Sequence, residues 1–159
     1  VCPIPQEFIL YSSNVLSDYA ISDKFFSTSD GRVNEKVLGI SFLEAEAKSR
    51  SEKKLIYKDV GDTILVQLGL FPERVKKNAS EDYYINLGKT AYAKMENLDC
   101  RFYDIPNFYN LFSSSFEYMI ELLSTMSKAN KFSSFEEYLL LSTSESNNLF
   151  ITPKSIKVS

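Results

Sequence analysis

Apolar residues recur along most of this chain at three- and four-residue spacings, the period of one helix face. Over residues 6 to 20, Phe8, Leu10, Tyr11, Val15, Leu16 and Tyr19 fall on such a face, in a helix that starts after Pro3 and Pro5. The turn-forming cluster STSDGRVN at 27 to 34 reads as a loop. Asn34 then serves as N-cap of a second helix over 35 to 49, with Val37, Leu38, Ser41, Phe42 and Ala45 on one face. A third helix, opened by Ser51-Glu52, runs from about 51 to 68. Its Leu55, Ile56, Val60, Ile64, Val66 and Leu68 make an apolar surface too broad for a one-sided helix, so it is expected at the centre of the molecule. Gly69 and Pro72 break the pattern. Ser80 caps a fourth helix over about 80 to 97, with Glu81 and Asp82 in the first turn, where the helix dipole favours acids.

On that fourth helix Tyr84, Leu87, Gly88, Ala91 and Met95 share a face. After Asp104 to Pro106, a long fifth helix is expected through Phe108, Leu111, Phe112, Phe116, Met119, Leu122, Leu123 and Met126. Ser134 with Glu137 forms a capping box for a sixth, ending near 146 to 148, and residues 149–159 read as an extended tail. The pattern therefore predicts an all-α protein: a single helical domain over 1–159, built as a bundle of about six helices with short loops and an extended C-terminal tail.

Composition agrees and removes several chemistries. Five glycines and five prolines in 159 residues are few for a fold made of many tight turns. Hydrophobic residues at 44% and charged residues at 25% are ordinary for a globule. No apolar run approaches the roughly 18 residues of a membrane-spanning helix. The first residues lack the basic region and apolar core of a signal peptide, although the leading Val leaves room for a removed leader. With a net charge of −3 and scattered lysines, no nucleic-acid partner is expected. The two cysteines, Cys2 and Cys100, suggest a reduced cytoplasmic protein, with a single bridge as the alternative. The chain contains no histidine, the commonest general base and transition-metal ligand. Histidine-dependent nucleophile systems and di-iron bundles are thereby excluded. No metal, cofactor or catalytic residue is assigned, and the reading leans away from an enzyme.

Two places could carry function. In DYYINLGKTAY, residues 82 to 92, Gly88 either lets a neighbouring helix approach beside Ala91 or opens room for a ligand among Tyr83, Tyr84 and Tyr92. The packing seam is the preferred reading. Asp62, amid Val60, Ile64, Leu65 and Val66, is either on an exposed stripe or buried. If buried, it requires Arg74, Lys89 or a tyrosine hydroxyl as partner. A structural pairing that pins the loop 69–79 to the third helix is preferred over catalysis. No lysine sits in an obviously apolar setting; Lys89, within LGKTAY, comes nearest. The twelve phenylalanines and ten tyrosines exceed what six helices are expected to bury. Phe25–Phe26, Phe102–Tyr103 and Phe108–Tyr109, next to loops, either lid the core or form an exposed patch of the kind that marks a partner interface.

The segments DVGDTILVQLGLF at 59 to 71 and DYYINLGKTAYAKM at 82 to 95 resemble a group of small helical bacterial proteins, mainly proteobacterial, without an assigned activity. Gly61-Asp62, Gly69, Phe71, Arg74, Tyr83-Tyr84, Gly88 and Ala91-Tyr92 match the pattern. Val60, in place of Leu, and Leu70 and Pro72, around the second Phe, depart from it. The resemblance covers about 40 residues and implies an intracellular helical protein without implying a mechanism. The expected function is a non-enzymatic protein-interaction or regulatory module that contacts a protein partner or a second copy of itself. The contact would centre on the loop 69–79 and the start of the fourth helix. The alternative is a small-molecule-binding protein or enzyme with an inter-helix pocket using Asp62, Arg74, Tyr83, Tyr84, Lys89 and Tyr92.

Overall fold

The structure, a computed structural model, describes residues 4–21, 35–72 and 80–129. These residues form six α-helices and no strand: α1 (Gln6–Ile21), α2 (Glu35–Glu44), α3 (Arg50–Leu70), α4 (Glu81–Asn97), α5 (Phe108–Ser114) and α6 (Phe116–Ala129). They do not match the six expected helices one to one: the expected fifth is divided in two, and the expected sixth falls outside the described residues. The loop at 27 to 34, the Asn34 cap, Phe25–Phe26, Arg74, the helix capped by Ser134 and the tail at 149–159 fall outside the described residues.

Each boundary has a local cause. The Pro5 carbonyl accepts from the N–H groups of Phe8 and Ile9 (3.0 and 3.4 Å), which opens α1. α2 stops at Glu44 and tightens into a 3₁₀ turn, Ala45–Ala47, instead of running to residue 49. Ser49 is needed elsewhere. Its side chain caps α3 by accepting from the Glu52 N–H, and the Glu52 carboxylate accepts from the Ser49 N–H at 3.0 Å. This capping box starts α3 at Arg50, so Ser51-Glu52 is the first turn and not the cap.

α3 also passes through Gly69 to Leu70, where a break was expected. A Cβ at Gly69 would lie 2.8 Å from the Leu123 Cβ. That glycine serves the close approach of α6 and terminates nothing. Along α4, Ser80 caps as expected, accepting from the Tyr83 N–H at 3.3 Å.

The expected long fifth helix breaks at Ser115, whose N–H reaches the carbonyls of Leu111 and Phe112 at 3.1 Å each. Three consecutive serines precede Phe116, and serine hydroxyls compete with the helix for backbone partners. Ser114 donates to the Asn110 carbonyl (3.0 Å), while Ser113 donates to the Lys89 carbonyl (2.8 Å) and ties α5 to α4. The change of direction lets Phe112 and Phe116 both enter the core, where neither is exposed.

α3 is central, as its broad apolar surface predicts. Every residue from Val60 to Phe71 is buried, and α3 packs against α4, α6, α2 and α1. Leu55, counted in that surface, instead faces solvent. On α4 the expected face is buried in full: Tyr84, Leu87, Gly88, Ala91 and Met95. A Cβ at Gly88 would lie 2.6 Å from the Phe116 ring and 3.3 Å from Ile64, so the space that glycine opens is filled by an aromatic side chain of α6. Phe108 and Tyr109 are buried and Phe102 packs against the core, so of the loop-side aromatics only Tyr103 is broadly exposed among the described residues.

Candidate functional site: a buried carboxylate shared by three helices

Asp62 sits at the middle of α3, where the helix is buried on all sides, and it is the one carboxylate buried among the described residues. Gly61 beside it keeps the wall thin: a Cβ there would meet the Tyr92 ring at 2.9–3.1 Å. The two rings that approach are those of Tyr11 from α1 and Tyr92 from α4, packed edge to face with centroids 5.9 Å apart. Both hydroxyls donate to the same carboxylate oxygen, Oδ1, at 2.6 Å from Tyr11 and 2.8 Å from Tyr92. Oδ2 accepts from the Lys58 ammonium, one turn earlier on α3. That ammonium also lies 5.7 Å from the centroid of the Tyr11 ring. Three of about four lone-pair sites on the carboxylate are thereby used.

An aromatic sleeve encloses the centre. The Tyr11 ring lies 5.0 Å from Phe102, 5.3 Å from Phe108 and 5.0 Å from Phe112. Tyr92 stacks on Tyr109 at 6.2 Å and meets Phe116 edge-on at 5.5 Å. Further along α1, the Tyr19 hydroxyl shares a hydrogen bond with the Thr63 hydroxyl and approaches the Asp59 carbonyl at 3.4 Å.

Burial raises the pKa of Asp62 above the ordinary carboxylate range, and the Lys58 charge and the two phenols only partly offset it. Burial and the adjacent acid also hold Tyr11 and Tyr92 well above the usual phenol value, so both stay protonated donors. Tyr109 and Tyr19 are pushed up by burial in the same way. Chemically the arrangement is a tie: one acceptor oxygen joins α1 and α4 to α3, and Lys58, its side chain 41% exposed, closes the outer side.

Among the described residues expected at a site, the structure joins Asp62 to Tyr92 and, apart from that pair, sets Tyr83 beside Tyr84. The preferred pairing of Asp62 with the loop 69–79 rests on residues outside those described; within them, the partners are the tyrosine hydroxyls of α1 and α4, the kind of partner also expected for a buried Asp62. Lys89 does not reach Asp62; it pairs with Glu117 of α6 at 3.0 Å, at the surface. Tyr84 is buried in the α4 seam, with its ring 5.3 Å from that of Tyr83. Tyr83 points outward and lays its hydroxyl against Gly39 of α2. Arg74 lies outside the described residues.

Two members of the centre were missed in the sequence. Lys58 was legible, since it stands four residues before Asp62 on one helix. Tyr11 was counted only as an apolar position of α1, and nothing local announces a partner 51 residues away. No group of three Asp, Glu or Cys side chains suited to a metal ion occurs among the described residues. Nor, among them, is any helix long and apolar enough to cross a membrane.

Fold and centre together define an all-helical protein organised around a buried tyrosine–carboxylate tie. No protein-family model, no curated protein and no solved structure matches the chain.

Proposed function

We propose that this chain is a non-enzymatic interaction or regulatory module of bacterial origin, acting in the cytoplasm by docking a protein partner. The observation that carries the reading is an exposed apolar strip at the start of α4 and the outer flank of α2. Tyr83 is 50% exposed and Leu43 71%, and Ile40 is exposed beside them. The Tyr83 hydroxyl rests against Gly39. Leu43 follows one turn on, about 40° round the helix, and Ile40 lies about 60° beyond Leu43. Apolar side chains grouped this way on an acidic protein fit a contact surface. Tyrosine suits such a surface because it covers area at low entropic cost and keeps a polar handle.

The bacterial and cytoplasmic parts rest on the resemblance of residues 59 to 71 and 82 to 95 and on the two scattered cysteines. The reading that makes Asp62 a ligand-binding or catalytic group finds less support. Its oxygens are already engaged by Tyr11, Tyr92 and Lys58.

The test compares the wild type with a Leu43→Asp, Tyr83→Ser double variant as bait in a bacterial lysate. Far-UV circular dichroism and the thermal midpoint confirm that both are folded. The expected result is a protein recovered by the wild type and lost, or at least tenfold depleted, with the variant. Identical recovery by two equally folded baits would overturn the assignment of this surface.

A further inference from the structure

We draw no further inference here: the strongest candidate, the exposed Tyr103 ring held on left-handed backbone in the loop between α4 and α5, projects into solvent with nothing in the structure to show what covers it.

Discussion

At Asp62 the physics of one residue can be divided by substitution. Asn keeps an acceptor oxygen for Tyr11 and Tyr92 and releases Lys58, which is already part-exposed, to solvent. Asp62→Asn is therefore expected to stay within about 1 kcal/mol of wild type, since it removes a buried charge together with its partner interaction. Asp62→Ala strands two buried hydroxyls, at about 1–3 kcal/mol each, and is expected to cost about 3 kcal/mol or more in urea unfolding. The pH dependence has a definite sign. Because the folded-state pKa is raised, the native protein holds this proton more tightly than the unfolded chain does. The contribution is fully present below the ordinary aspartate value of about 3.9 and is lost as pH rises through the folded value. Wild type should therefore lose stability relative to Asp62→Asn as pH rises through that window. A difference that grows in favour of wild type would mean that Lys58 and the phenols outweigh burial.

At the scale of helices, the glycines separate two kinds of close approach. Gly88→Ala gains up to about 1 kcal/mol of helix propensity. It also drives a Cβ to 2.6 Å from the ring of Phe116, which is wholly buried and has nowhere to move. Overpacking of this kind costs about 1–3 kcal/mol, so a net loss in the urea midpoint is expected. Gly39→Ala meets only the far end of the half-exposed Tyr83 side chain, which can swing aside. It is expected to be neutral or slightly stabilising, and a loss as large as that of Gly88→Ala would show Tyr83 to be fixed in place.

Ser80→Ala should cost about 1 kcal/mol through the lost α4 cap, measured in the same urea series. These elements also show what the sequence discloses. Caps and faces are local, and Ser80, the α4 seam and the central burial of α3 follow from spacing alone. The break at Ser115 and the continuation through Gly69 do not, because Ser113 finds its partner on the backbone of α4 and Gly69 makes room for a side chain of α6. Periodicity carries no information about either neighbour.

Over the whole molecule, the centre was half legible for the same reason. A lone acid in an apolar stretch announces that a partner must exist, and Asp62 required one. It does not say which of ten tyrosines supplies it, since that choice depends on how α1 crosses α3. The consequence is a molecule whose helices are not independent. Tyr11 and Tyr92 donate to one oxygen from opposite helices, and their rings also touch. Tyr11→Phe leaves the carboxylate one donor short, and Tyr92 must then satisfy Oδ1 alone. Hydrogen bonds to a charged group contribute about 1.5–3 kcal/mol each, and residues sharing a partner couple by about 0.5–3 kcal/mol. A double-mutant cycle with Tyr11→Phe and Tyr92→Phe is therefore expected to depart from additivity by at least about 0.5 kcal/mol. Its unfolding should be followed by both far-UV and tyrosine near-UV circular dichroism. Coincident transitions in wild type, with that coupling, would identify Asp62 as the node through which α1 and α4 unfold together. Additive losses, or an α1 that melts before the rest in wild type, would reduce the tie to two separate hydrogen bonds.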